Sequence, residues 1–444
     1  MKNLMEVRKN APILFLGIVT EVLFIFVLNL QDFKKETSSS FLYLYFSIFF
    51  MYLFALKFKS NKSLWLILIF AFIFRFTMLF SPPTLSDDIY RYYWDGKVTN
   101  HGINPFSYPP NSEEIAYLRD SNYESINNKH VATIYPPFSQ LIFAVGYLIK
   151  PEVFPFKVIF MAFDFLSIFL LTLILKESKI SLDNLLVYAW NPLVVVEFAS
   201  SGHNDSLAIF LVLLSYYALL KNKNLSCSIG LSLAVLTKAY PVLLLPFFFK
   251  RNFSQYFIFL LTILVSYLPF ISAGEKLFSG LNSYFEHWLF NPSIFRIFNY
   301  FLGFEVAKFV SRSILIISWL FLFFSKKDIL WNSFVILGIC LLTAPVVHPW
   351  YVAWILPFLV FYKSNAWILF TGLVTLSYSY FISWSEIWWI ISLEYVPFYV
   401  LLIWEGRNYI RTFIFRGGKH TFPYNVFLTL YILTILILAV IYFA

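Results

Sequence analysis

Two adjacent acids, Asp87 and Asp88, stand just after an apolar run, in the segment SDDIYRYYWDGKVTNHGINPFSYPP that starts at Ser86. Arg91 follows one helical turn later and Asp95 one turn after that. A carboxylate within hydrogen-bond reach of a hydroxyl can take its proton as that oxygen attacks an electrophile. A fixed cation can stabilise a phosphate that leaves with growing negative charge. Three other places carry groups of this kind. They are His203, Asn204 and Asp205 in the polar break GHND; Lys238 and Tyr240 in LTKAYP; and His348 and Tyr351 in HPWY.

Simpler explanations exist for these groups. Ser86 can cap a short helix, with both acids at its positive end. Asp87, Arg91 and Asp95 have the spacing of an ion-pair row along one helix face. Asn204 or Asp205 can cap the apolar run 206–220, but capping needs only one of three polar side chains. Lys238 can snorkel to an interface. Asp164 and Glu197 lie inside apolar runs and read as buried partners of polar groups on the external face.

The elements that must position these residues are membrane helices. The chain has 444 residues, 60% hydrophobic and only 13% charged. Apolar runs at 11–30, 41–56, 64–80, 207–220, 256–271 and 426–443 approach or exceed the roughly 17–25 residues that span a bilayer. The short alternating strands of a membrane β-barrel are absent from the pattern. The net charge of +9 does not point to nucleic acid. The basic residues sit in short clusters between apolar runs, such as Lys57/Lys59/Lys62, Lys221/Lys223 and Lys326/Lys327, as the positive-inside rule expects. The first apolar run reads as a retained anchor. Cys227 and Cys340 fall in apolar segments and form no CxxC motif.

With the basic clusters inside, three spans leave the chain outside at Ser81. Residues 81–137 are then a large external catalytic loop with short surface helices. The stretch 138–150 is too short to cross and reads as a membrane-dipping helix, followed by crossings at about 155–175 and 184–200. Residues 225–249 form a hairpin whose apex is near Lys238 and Pro241, since proline disfavours the helical region for its predecessor. The expectation is one polytopic all-α membrane domain, 1–444, with about thirteen crossings and an outward C-terminus. No P-loop, GxGxxG, HExxH or GxSxG motif occurs. Six scattered histidines offer no His-rich metal site.

The ordered series SDDIYRYYWDG, GINPFSYPP, TIYPP, AWNPL, GHND, LTKAYP and HPWY resembles the polytopic GT-C glycosyltransferases. It is most similar to the mannosyltransferase-like group around glycosyltransferase family 87. The resemblance runs from Ser86 to Tyr351 and implies a GT-C-like bundle. It implies transfer of a hexose, mannose by analogy, from a polyprenyl-phosphate sugar to a hydroxyl acceptor on the external face of the plasma membrane. The acceptor class is a glycan, glycolipid or glycoprotein. The resemblance makes Asp87 or Asp88 the base, without choosing between them. It places His203, Asn204 and Asp205 in a loop that shapes the acceptor or donor site and Lys238 and His348 near the lipid phosphate; Arg91, Asp95, Tyr240 and Tyr351 join them as candidate substrate-binding residues. No cofactor is certain, and some relatives need a divalent metal. One displacement at the anomeric carbon implies inversion. Two other readings stay open: a flippase of lipid-linked sugars, and a polymerase or ligase using pyrophosphate-linked glycans.

Overall fold

The computed structural model describes residues 2–59 and 63–415. The expected crossing at 426–443, and with it the outward C-terminus, lies outside the described residues. Helices dominate the described chain, whose extended pairing is limited to one parallel bridge between Phe290 and Val346. The fold is the all-α polytopic membrane class read from the apolar runs. Among the described residues seven helices are long and apolar enough to cross a bilayer, or eight if one sharply bent pair counts as a span. The expected thirteen is not reached on length and composition. Several apolar helices, Leu64–Leu79 and Ile329–Thr343 among them, are shorter than 18 residues.

The chain forms two compact units, residues up to Trp288 and residues from Leu289 on. In the first unit, α1 (Lys2–Leu28) packs on α2 (Ser38–Phe58) and α3 (Leu64–Leu79). The external segment begins with α4 (Asp88–Asn100), which lies along α5 (Pro137–Ile149), the short helix expected at 138–150. Gly96 makes that packing close, because a Cβ there would come 2.3 Å from the Phe143 carbonyl oxygen. Between α4 and α5 the loop builds its own small core from Trp94, Val98, Ile115, Leu118 and Ile126. α6 (Phe154–Glu177) is the long crossing expected there, and it packs against the helix Asp205–Leu220.

The sequence reading differs from the structure at 184–200. A single crossing is expected there, and the chain instead forms short pieces. Trp190 ends one turn, and Asn191 caps the next by accepting the Leu193 N–H at 3.0 Å, with Pro192 at the first helical position. Residues 195–200 then form a π-turn, and the axis bends by 117° into the helix Asp205–Leu220. Side chains from three neighbouring helices hold the broken segment. Arg75 of α3 pairs with Asp164 of α6 at 2.5 Å and donates to the Ala189 carbonyl at 2.7 Å. Tyr188 donates to the other Asp164 oxygen, Tyr52 of α2 to the Val187 carbonyl, and Trp190 to the Ile67 carbonyl. Asp164 is thus the buried partner its position in an apolar run suggests.

Both members of the Arg75–Asp164 pair have fully buried side chains. Removing one partner of such a pair leaves an uncompensated charge, at a cost of about 3–5 kcal/mol. Arg75→Met and Asp164→Ala should each lower the apparent unfolding midpoint in detergent by many degrees. The double variant Arg75→Met/Asp164→Leu should recover most of that loss. Single variants as stable as the parent would show that the pair holds nothing together.

In the second unit, Ile294–Leu302 packs on Phe304–Phe323, which in turn meets Ile329–Thr343. Asn365–Leu373 packs on the long helix Trp388–Phe415.

Candidate functional site

The polar residues of the first unit converge where α4, the bend at 201–205 and the segment 236–240 meet. Asp87 is the residue that precedes α4, and Asp88 opens its first turn. Ser86 Oγ accepts the Asp88 N–H at 3.3 Å, a local turn bond one residue before the cap position, which Asp87 holds without a side-chain cap hydrogen bond. Consecutive helix residues point about 100° apart, so the two acids diverge. Asp87 turns to Lys34, at 2.9 Å, and its side chain is 41% exposed. Asp88 turns the other way, and its side chain is 20% exposed. One carboxyl oxygen of Asp88 lies 3.7 Å from His203 Nδ1, and the other accepts a 3.4 Å hydrogen bond from Asn127. Burial raises the Asp88 pKa. Lys238 and the Asn127 hydrogen bond oppose that rise, and the charges of Asp205 and Asp87 add to it.

The polar break at 202–205 does more than end a helix. Asn204 occupies the capping position of the helix Asp205–Leu220, yet its side chain makes no cap hydrogen bond. Instead it accepts from the Tyr92 hydroxyl at 3.3 Å and donates to Ser139 at 3.1 Å, joining α4 to α5. Asp205 lies 3.1 Å from Lys238 Nζ. His203 is fully buried, with its Nε2 3.4 Å from a carboxyl oxygen of Glu197. His203 therefore sits between two carboxyl groups, Glu197 on one ring nitrogen and Asp88 on the other. Gly202 lets the chain turn here. Its φ is +70°, and a Cβ would come 2.7 Å from Ile89 in the first turn of α4.

Lys238 lies in the break between Asn224–Val235 and the short helical run that begins at Tyr240, the place where a hairpin apex is expected. Its ammonium also rests 5.4 Å from the centre of the Tyr135 ring, which belongs to the TIYPP motif. Tyr240 is buried, and the charge of Asp205 reaches it.

Arg91 and Asp95 form one ion pair, 2.8 Å apart. The expected three-residue row does not form, because Asp87 pairs with Lys34. Arg91 also donates to the Val131 carbonyl, and Asp95 accepts from Thr133 and Gln140. Both side chains are buried among these internal partners, which fix the chain at 131–135 and so place Tyr135.

His348 and Tyr351 belong to the second unit. His348 stacks between Phe290 and Trp350, with ring centres 4.5 and 4.2 Å away. Tyr351 stacks on Trp354.

Three contributors to the first-unit cluster escape sequence reasoning. Glu197 has the look of any buried acid in an apolar run, and only the π-turn aims it at His203. π-turns recur at functional sites. Asn127 lies in a loop with no periodic signal. Tyr135 is visible in a motif, but its closeness to Lys238 is a tertiary fact. No group of three or more His, Cys, Asp or Glu with metal-holding geometry occurs among the described residues.

Comparison with known proteins bears on this cluster. The sequence model of a family described as alpha-(1->6)-mannopyranosyltransferase, N-terminal domain, matches residues 38–251. That range contains Asp87, Asp88, Glu197, His203 to Asp205 and Lys238. GPI mannosyltransferase 1 of Candida albicans (strain SC5314 / ATCC MYA-2876) is 26% identical over 262 residues. That alignment covers 49% of this chain and 65% of the relative, just under two thirds of its length. No solved structure matches the chain.

Proposed function

We propose that the chain is a GT-C-like membrane mannosyltransferase with Asp88 as its general base, a reading supported by the family match over residues 38–251 and by the 26% identity to the Candida albicans relative. The donor is a polyprenyl-phosphate mannose, and the acceptor is a hydroxyl of a glycan, glycolipid or glycoprotein. The reaction takes place on the external face of the plasma membrane. One observation carries this reading: the half-buried Asp88 carboxyl faces His203 at 3.7 Å, and Lys238 is close enough for its charge to act on Asp88.

In the step proposed, the acceptor oxygen attacks the anomeric carbon and its proton passes to Asp88. The bond from that carbon to the phosphate oxygen breaks, and the polyprenyl phosphate leaves with the electron pair. Attack opposite the leaving group inverts the anomeric centre. Lys238, held by Asp205 and Tyr135, is the cation that offsets the growing charge on the phosphate. His203, braced by Glu197, positions Asp88. Arg91, Asp95 and Asn204 position the loop around the site, and Tyr240 lines it beside Asp205. His348 and Tyr351 are proposed as contacts for the lipid-linked substrate. A donor delivered through the bilayer requires no nucleotide-binding domain, in keeping with the absence of a P-loop or GxGxxG sequence.

The reading is tested with purified protein, radiolabelled polyprenyl-phosphate sugars and a panel of acceptors. A new inverted mannosidic bond is expected with polyprenyl-phosphate mannose. Product only from pyrophosphate-linked oligosaccharides would move the protein to the polymerase or ligase class. Movement of a lipid-linked sugar between leaflets with no new bond would make it a flippase.

A pH prediction follows from the surroundings of Asp88. A base works only when deprotonated, so the rate should fall on acidification through the Asp88 pKa. Burial raises that pKa, which places the acid limb above the range of an ordinary aspartate. The Asp205 charge raises it further. In Asp205→Asn the acid limb of kcat/KM should therefore move to lower pH. An acid limb unmoved in this variant, or moved upward, would contradict the assignment of Asp88 as base.

A further inference from the structure

The motif GINPFSYPP takes no part in the proposed transfer chemistry, but it holds a neighbouring element in place. Asn104 Nδ2 donates to the Phe270 carbonyl at 2.8 Å and to Ser272 Oγ at 2.9 Å. Its Oδ1 accepts the Phe106 N–H at 3.1 Å, which folds the motif into a turn. The buried Phe106 ring meets the Phe270 ring edge-on, with centres 5.2 Å apart. These contacts seat the irregular run Leu268–Phe278, which the helix Ser279–His287 continues.

That helix presses on the site. Gly280 is buried in its first turn, and a Cβ there would come 2.4 Å from the Ala132 carbonyl oxygen and 2.6 Å from that of Thr133. Both neighbours are backbone atoms, so no side-chain rotation makes room. Any residue but glycine must move either the helix or the stretch 132–133. That stretch is also tied to α4, where Arg91 donates to the Val131 carbonyl and Asp95 accepts from the Thr133 hydroxyl. Two residues beyond Thr133 stands Tyr135, whose ring centre lies 5.4 Å from the Lys238 ammonium. Lys238 faces Asp205 at 3.1 Å, and its charge also acts on Asp88. The backbone at 132–133 therefore sets where the ring stands, and the ring limits where the ammonium rests.

We propose that Gly280 and Asn104 are positioning residues, which clamp the segment 268–287 against 131–135 and so hold Tyr135 on Lys238. The proposal rests on the reading of Lys238 as the cation of the transfer step. A misplacement of about 1 Å caused from outside the reacting groups can cost about 10²-fold in rate, so close contact at one glycine is enough to matter.

The test measures kcat, the pH profile of kcat/KM and the unfolding midpoint on variants of the purified full-length protein. Gly280→Ala should lower kcat by about tenfold or more. Its acid limb should move to higher pH, though less than in Lys238→Met, because a displaced ammonium holds the Asp88 pKa down less effectively. Asn104→Ala loosens the clamp from its other end and should move the limb in the same direction, so it carries the test if Gly280→Ala does not fold. Tyr135→Leu keeps apolar bulk but removes the ring face. Adding Gly280→Ala to it should cost little further activity, since both act through the same ring. Gly17→Ala is the control for lost stability. Its Cβ would come 2.4 Å from the Phe70 ring in the packing of α1 on α3, so the midpoint should fall while the limb stays in place. Parental kcat and an unmoved limb in the folded Gly280→Ala and Asn104→Ala variants would overturn the proposal. So would an equal limb shift in Gly17→Ala. Lys238→Met separates the two levels. If it behaves as the parent, the transfer reading fails and takes the clamp with it. If it loses activity and shifts the limb while the clamp variants do neither, the clamp alone fails.

Discussion

Asp88→Asn should reduce mannosyl transfer by about 10²–10⁴-fold, the contribution of a positioned general base, while Asp87→Asn should retain activity within about tenfold of the parent. The sequence places the two acids side by side and gives them equal standing. The structure separates them by direction. Asp87 faces Lys34 and solvent, and a pair that exposed contributes roughly 0–1 kcal/mol. Asp88 faces His203 and Asn127 in the same polar cluster as Lys238. The asparagine substitution keeps size and hydrogen bonding but cannot take up a proton. The readout is kcat at saturating donor, with the unfolding midpoint measured in parallel to confirm that both variants fold. Equal losses in the two variants, or full activity in Asp88→Asn, would remove Asp88 from the mechanism.

Lys238→Met should lower kcat by about 10²–10³-fold, the loss seen when one preorganised stabilising group is removed from a developing negative charge. The methionine keeps most of the side-chain length and its packing against Tyr135, so the change is chiefly one of charge. A second effect separates this role from a structural one. The Lys238 charge lowers the Asp88 pKa. Without it that pKa rises, and the acid limb of the rate profile should move to higher pH, opposite to the shift expected for Asp205→Asn. Lys238→Arg should recover part of kcat, since a cation returns with altered geometry. A methionine variant with lowered expression but an unchanged pH profile and kcat would assign Lys238 to stability alone.

Much of this site is visible in the sequence because a membrane protein hides few polar residues. In a chain with so few charges, the GHND break and the acids after the third apolar run stand out at once. The membrane class follows from run length in the same way. Direction is what the sequence withholds. Adjacent letters cannot tell which acid faces inward until the register of α4 is known, and that register depends on Gly96 meeting the Phe143 carbonyl. Run length also misleads at 184–200. Its average hydropathy is high despite Asn191, Pro192 and Glu197, and that average gives no sign that Asn191 and Pro192 start a new turn or that Glu197 lies in a π-turn. Arg91 and Asp95 show another limit. Their spacing identifies the ion pair, but only tertiary contacts show that it fastens the stretch 131–135.

The π-turn at 195–200 also makes the site adjustable by length. It accommodates one residue more than an α-helical turn over the same path. Deleting a single position within it, Phe198 for instance, removes that extra residue, restores ordinary winding over the same path and takes away the widened turn that aims Glu197 at His203. The imidazole would then lose its brace, with no polar side chain altered. On the proposed mechanism, alignment is therefore stored in the arithmetic of the backbone, and a one-codon gap should slow transfer without touching the base.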